Sequence, residues 1–207
     1  ALGLAAYLGL GANGFISLDD TDYITDNHQV RAGLTAQGPR WAFTTTHAGN
    51  WHPLTWLSHM VDVALFGMDP RGHHAASLLL HAANAVLLFL GLRAMTGATW
   101  AAAAVAGLFG LHPLHVEAVA WTAERKELLC TLFWLLAIGA YLRHARRPGS
   151  RWPVAVFVLL ALALLAKPMA VTAPIVFLLL DVWPLGRLRP CGGRLPWSPA
   201  ARLLVEK

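Results

Sequence analysis

In this chain of 207 residues, the ionisable groups whose types and spacing could do chemistry gather at three places. Asp19 and Asp20 stand side by side in Phe-Ile-Ser-Leu-Asp-Asp-Thr-Asp-Tyr-Ile, with Asp22 and Asp26 close behind. Residues 112–127 read His-Pro-Leu-His-Val-Glu-Ala-Val-Ala-Trp-Thr-Ala-Glu-Arg-Lys-Glu, and Lys167 interrupts a long apolar run. A carboxylate can take a proton from an attacking hydroxyl, while cations neutralise a departing phosphate. Brought into one cavity, these groups suit transfer of a group from a lipid phosphate to a hydroxyl. Ionisable groups at membrane depth are costly and point to function, which singles out Asp19, Asp20, Glu117, Arg125 and Lys167. Asp22 and Asp26 read as a solvated loop.

The elements that must position these groups are membrane helices. The chain is 57% apolar and only 13% charged, with a mean hydropathy of +0.52. That excludes disorder and an ordinary soluble domain. The net charge of +5 does not indicate nucleic acid, because the basic residues fall in short runs between apolar segments rather than in one patch. Two cysteines, Cys130 and Cys191, make no disulfide framework and no metal spacing.

A spanning helix needs about 20 mostly apolar residues. Residues 72–92 and 94–116 qualify, 128–142 qualifies with Glu127 and Arg143 at the interfaces, and 1–18 supplies another span. Residues 152–180 are broken by Lys167-Pro168. One kinked helix there would be about 43 Å long against a hydrocarbon core of about 30 Å, so a hairpin at Lys167-Pro168 is expected. The chain then reads as an all-α polytopic membrane protein of about six transmembrane helices. Ten of the sixteen basic residues fall on one side, among them Arg93, Arg143, Arg146, Arg151 and Arg187, with Asp181 and Glu206 as the acidic residues there. The positive-inside rule makes that side cytoplasmic, with Asn27 and Lys167 outward. The domain expected is 1–187, containing a long outer loop over 17–74, followed by a basic cytoplasmic segment over 188–207.

A loop of that length is usually functional. Thr35 can cap a short helix through Phe43, and 52–66 places Leu54, Leu57, Val61 and Leu65 at helical spacing. With Trp41, Trp51 and Trp56 nearby, these read as helices in the outer interface. Other motifs carry less. Gly9, Gly11 and Gly14 spell G-x-G-x-x-G without the surrounding βαβ pattern of a dinucleotide site. His81 and Asn84, one turn apart in a span, read as interhelical hydrogen bonders. Neither His112, His115 and Glu117 nor His73 with His74 forms a preorganised metal set, so no metal site is expected, and whether a divalent cation assists stays open.

The Asp19-Asp20 pair, Asn-Trp-His-Pro-Leu-Thr-Trp-Leu-Ser-His at 50–59, His-Pro-Leu-His-Val-Glu-Ala-Val-Ala-Trp at 112–121, Ala-Glu-Arg-Lys-Glu at 123–127, Ala-Lys-Pro-Met at 166–169 and Leu-Asp-Val-Trp-Pro-Leu-Gly-Arg at 180–187 occur in order along nearly the whole chain. Together they resemble the membrane half of the transmembrane and tetratricopeptide-repeat O-mannosyltransferase-like proteins and their bacterial relatives. The resemblance implies the C-type fold of lipid-dependent glycosyltransferases. It also implies a polyprenyl-phosphate sugar donor, a hydroxyl acceptor on protein or glycan, and contact with membrane lipid. The setting it implies is a bacterial inner membrane with the active face to the periplasm. Asp19 or Asp20 would then be the catalytic base, with Arg125, Lys126 and Lys167 toward the donor phosphate. Glu117, His112, His115, Trp51 and His52 would line the cavity. Tetratricopeptide repeats and later spans are absent from the sequence. A non-catalytic anchor or a lipid- or ion-handling module is the alternative reading.

Overall fold

The computed structural model describes residues 7–146 and 151–187, and among these the regular structure is entirely helical. Its helices are α1 (His28–Arg31), α2 (Gly38–Thr44), α3 (Pro53–Phe66), α4 (Pro70–Thr96), α5 (Thr99–Leu111), α6 (His115–Ala120), α7 (Arg125–Arg146), α8 (Trp152–Ala166) and α9 (Ala173–Val182). The centre of the bundle is α7, which packs most extensively on α8 and α4, while α5 lies on α4.

The bundle has its polar residues inside. The buried residues of α4 are His73, His74, Ser77, His81 and Asn84, while Leu79 and Leu90 face outward. In water this distribution would be unstable, but in hydrocarbon it satisfies polar groups internally and leaves aliphatic surface for lipid. The run Thr122–Arg146 and α4 are the two helices long and apolar enough to cross a bilayer, and only 33% and 17% of their most apolar windows are buried. A core helix of a soluble protein would be mostly buried.

Local sequence explains the helix ends and contacts. Asp69 accepts the Arg71 N–H at 3.0 Å to cap α4, and Gly97 terminates it in the left-handed region at φ 72°. Ala102, Ala106 and Gly110 form the buried stripe of α5. A Cβ added at Gly110 would lie 3.7 Å from the Ala85 methyl, so small residues let these two helices approach closely. His81 donates from Nε2 to the Gly110 carbonyl at 3.2 Å, and Asn84 donates to the Leu128 carbonyl at 3.0 Å. These are the interhelical bonds expected of both residues.

The chain reverses at Lys167, which is extended at φ −157°, and turns through Pro168–Thr172. Helix α9 then runs back beside α8. Phe177 stacks on Tyr141 with centroids 4.7 Å apart, and Asp181 accepts the Tyr141 hydroxyl at 2.6 Å. Lys167 pairs with Glu127 at the opposite end of α7. A single kinked helix would carry Asp181 away from Tyr141, so the hairpin expectation holds.

Two expectations need adjustment. Besides the two helices of spanning length, Thr99–Leu111, Trp152–Ala166 and Pro168–Val182 are apolar but shorter, so six full-length spans are not seen among the described residues. The described part of the first expected span holds only a short 3-10 turn, Leu8–Ala12. Gly9, Gly11 and Gly14 account for this, since each glycine costs a helix about 1 kcal/mol relative to alanine. Residues 1–6 and the basic segment 188–207 lie outside the described residues.

The segment before α4 forms short helices where its sequence predicts them. Helix α2 begins at Gly38, whose N–H reaches the Thr35 hydroxyl at 3.1 Å. Helix α3 buries Thr55, Trp56, His59, Met60 and Asp62 and turns Val61 and Leu65 outward. The aliphatic stripe is therefore divided: Leu54 and Leu57 are half-buried against the core, while Val61 and Leu65 face away from the protein.

Candidate active site at the carboxylate-rich end

The two neighbouring aspartates have separate environments. Asp20 is fully buried and accepts the Ile16 N–H at 2.9 Å and the Ala123 N–H at 2.7 Å. Burial raises its pKa, against the lowering effect of these two hydrogen bonds. Its carboxylate thus staples the loop that follows residue 15 to the turn Thr122–Glu124. Asp19 is exposed at the same place. Asp19, Glu124 and Lys167 all act electrostatically on the Tyr23 phenol, so the acidic pair, the 123–127 segment and the Lys167 turn share one neighbourhood.

Around them lies an aromatic cluster. Tyr23 packs on Trp56 at 4.6 Å and on His52 at 5.4 Å between ring centroids, and the Lys126 ammonium stands 5.0 Å over the Tyr23 ring. Burial pushes the Tyr23 phenol up to about 12, which leaves it protonated and unable to act as a base. His52 is buried, with Nε2 unpartnered, and burial pushes it down to about 4, so it is a neutral imidazole. Trp51, by contrast, is 47% exposed and donates from Nε1 to the Phe43 carbonyl at 2.9 Å. It belongs to the surface of the loop and is not among the residues lining the cavity that Glu124 and Glu127 border.

Arg125 also departs from expectation. Only 1% of it is exposed, and it ion-pairs with Asp62. Its remaining N–H groups reach the His73 carbonyl at 2.6 Å, Ser77 Oγ at 3.2 and 3.3 Å, and Ser58 Oγ at 3.4 Å. The guanidinium is consumed in joining α7 to α3 and α4, not presented to a phosphate. Breaking such a buried pair by removing one partner typically costs about 3–5 kcal/mol.

The cations that remain accessible are Lys126 and Lys167, paired with Glu124 at 2.6 Å and with Glu127 respectively. Glu124 and Glu127 in turn line a cavity of about 290 Å³ together with Glu117, His115, His81 and Asn84. His115 and Glu117 are therefore brought together as expected. His112 is exposed beside them, its Nδ1 accepting the Leu114 N–H at 3.3 Å, and is not part of the lining. The arrangement puts three carboxylates on one cavity and two cations behind two of them, close to the Asp19-Asp20 pair.

Comparison with known proteins decides the family. The family model described as dolichyl-phosphate-mannose-protein mannosyltransferase matches residues 54–197. The chain belongs to this family. It is 33% identical over 196 residues to protein O-mannosyl-transferase Tmtc2 of Drosophila melanogaster, covering 88% of this chain and 21% of that protein. It is 38% identical over 143 residues to Drosophila protein O-mannosyl-transferase Tmtc1, covering 67% of this chain and 16% of that one. With human protein O-mannosyl-transferase TMTC4 it shares 31% over 189 residues, 77% of this chain and 25% of that one. The chain thus spans about a fifth of the length of these relatives. No solved structure matches it. In this O-mannosyltransferase-like protein, the matched region takes in Arg125, Lys126, Glu127 and Lys167, while Asp19 and Asp20 precede it.

Sequence reasoning missed Asp62, Ser58, Ser77 and His59, which surround or adjoin Arg125, and it missed Glu124 on the cavity. A signal for Ser77 was present. His73, Ser77, His81 and Asn84 recur at spacings of four, four and three on an otherwise apolar helix, which marks one inward polar face.

Proposed function

We propose that this chain is the membrane part of an inverting glycosyltransferase that moves a sugar, mannose by its family, from a polyprenyl-phosphate donor to a hydroxyl acceptor on protein or glycan. Asp19 takes the proton of the acceptor hydroxyl as its oxygen bonds to the anomeric carbon. The bond from that carbon to the phosphate oxygen breaks on the opposite face, and polyprenyl phosphate departs with the electron pair. Lys126 and Lys167 are the cations toward the phosphate. Arg125 holds the floor of the site together. Because a phosphate needs little protonation to leave, one base suffices, unlike the two carboxyl groups of a glycosidase.

The observation that carries this reading is the bond from Asp20 to the Ala123 N–H, which ties the acidic pair to the Ala-Glu-Arg-Lys-Glu segment and leaves Asp19 exposed beside it. The family's description names a dolichyl-phosphate mannose donor, and the exposed aliphatic faces of the helices suit an enzyme whose donor arrives within the bilayer. The division of basic residues supports a reading with Arg146 and Arg187 in the cytoplasm and the site on the outer face of the membrane.

The test is incubation of the full-length protein with radiolabelled polyprenyl-phosphate mannose. Label should enter a protein or glycan acceptor. Donor that is bound but never consumed by protein of proven fold, across protein and glycan acceptors, would favour the anchor or lipid-handling alternative.

A further inference from the structure

Beneath the proposed active site, α3 and the first turn of α4 bury three groups that could hold a metal ion. His59, Asp62 and His73 each direct one ligand atom into the same space, and these atoms lie within 4.8 Å of one another. His59 and Asp62 are three residues apart on α3, so they share a face. None of the three is more than 4% exposed.

The hydrogen bond of His73 fixes which ring nitrogen carries the lone pair. Its Nε2 lies 3.1 Å from the Gly67 carbonyl, which can only accept, so Nε2 carries the hydrogen. In the neutral ring Nδ1 is then a lone pair, and it faces Asp62 Oδ2 at 3.4 Å without a hydrogen-bond partner. The His73 lone pair thus faces a buried carboxylate oxygen that is shared with the Arg125 guanidinium. His59 aims at the same point, and both of its ring nitrogens are buried and unpartnered. Arg125 meets the same Asp62 Oδ2 from α7 and spends its other N–H groups on Ser58, Ser77 and the His73 carbonyl, so it shares the carboxylate but leaves the His59 ring nitrogens and His73 Nδ1 without a partner.

We propose that His59, Asp62 and His73 bind a divalent transition-metal ion of the zinc class, which locks α3 to the start of α4. Two imidazoles and one carboxylate suit zinc, whereas magnesium and calcium prefer oxygen throughout. Ligands at about 2.0–2.1 Å in a tetrahedron sit about 3.3 Å apart, close to the His73 to Asp62 separation already present. The Gly67 carbonyl on His73 and the Arg125 guanidinium on Asp62 are the kind of outer partners that fix ligand orientation. Because Arg125 shares the carboxylate, binding is expected to be weaker than in thiolate sites. The inference does not depend on the glycosyltransferase reading.

The measurement is metal content and cobalt absorption of the full-length protein in detergent, after chelation and reloading with Zn2+ or Co2+. About one equivalent per chain is expected, with a visible Co2+ band of a four- or five-coordinate site and a raised unfolding temperature. His59→Gln and His73→Gln should each lower the bound metal at least about tenfold, while His112→Ala with His115→Ala should keep it. Parent protein that takes up neither ion overturns the proposal. Metal retained at full stoichiometry in both glutamine variants overturns it as well. If the variants do not fold, the cobalt spectrum of the parent decides alone: a band with nitrogen and oxygen ligation supports the site, and its absence rejects it.

Discussion

The two ends of α7 carry charge in different ways. At the arginine-rich end three of the described cations serve neighbours: Arg146 donates to the Ala94 carbonyl, Arg143 lies over the Trp152 ring at 5.3 Å, and Arg187 reaches Asp181 and Tyr141 at 3.2 and 2.9 Å. These contacts fasten helix ends, and cations there also complement the helix dipoles. At the carboxylate-rich end, groups from four separate segments converge: Asp19 and Asp20, the residues of α3, the 117–127 stretch and Lys167. Some are consumed in holding the floor and others remain at a cavity. Charge that merely fastens can be lost at a local cost. Charge that converges divides into a structural layer and a reactive layer, and the two should respond differently to mutation.

Arg125→Ala should break the comparison most severely. It strands Asp62 in a buried place, so the unfolding temperature in detergent should fall by the equivalent of about 3–5 kcal/mol. Arg125→Lys should recover only part, because an ammonium cannot reproduce the forked contacts to Asp62, Ser58, Ser77 and the His73 carbonyl. A variant as stable as the parent that transfers no sugar would return Arg125 to the donor phosphate, where the sequence alone had put it.

Asp20→Asn is next. One carboxylate oxygen becomes an NH2 facing a backbone N–H, at a cost of about 1–3 kcal/mol. Thermal stability and protection of the Ala123 amide from hydrogen exchange should both drop, and transfer should fall only with the folded fraction. Loss of transfer far beyond the loss of folded protein would make both aspartates reactive. The smallest effect belongs to the arginine-rich end. Tyr141→Phe removes the hydroxyl's bond to Asp181 and the one it accepts from Arg187 but leaves the Arg187–Asp181 pair, so stability should fall by about 1–2 kcal/mol with the transfer rate unchanged.

Much of this molecule was legible in its sequence, and particular residues show where legibility ended. The spacing of Leu54, Leu57, Val61 and Leu65 gave helix α3, and the length of the apolar run around Lys167-Pro168 gave the hairpin. Those features depend on periodicity and on bilayer thickness, which one sequence carries. The direction of α3 was less accessible, because the stripe splits in the fold, with Leu54 and Leu57 against the core and Val61 and Leu65 turned outward. The function of Arg125 was hidden for a related reason. Beside Lys126 and Glu127 it reads as one more interfacial charge, and only the packing of α3 and α4 brings Asp62 and Ser77 to it. Asp20 and Asp19 likewise differ in nothing but the fold around them.

The central claim is that this pair has divided its labour, with Asp20 holding the site and Asp19 acting as base. The most direct measurement is the rate of sugar transfer by full-length Asp19→Asn, compared with its unfolding temperature and its donor binding. Asparagine keeps the shape and removes the basicity, so stability and donor binding should stay at parental values while transfer falls by about two to four decades. Transfer at the parental rate would contradict the account and reduce the pair to a structural staple with a solvated neighbour.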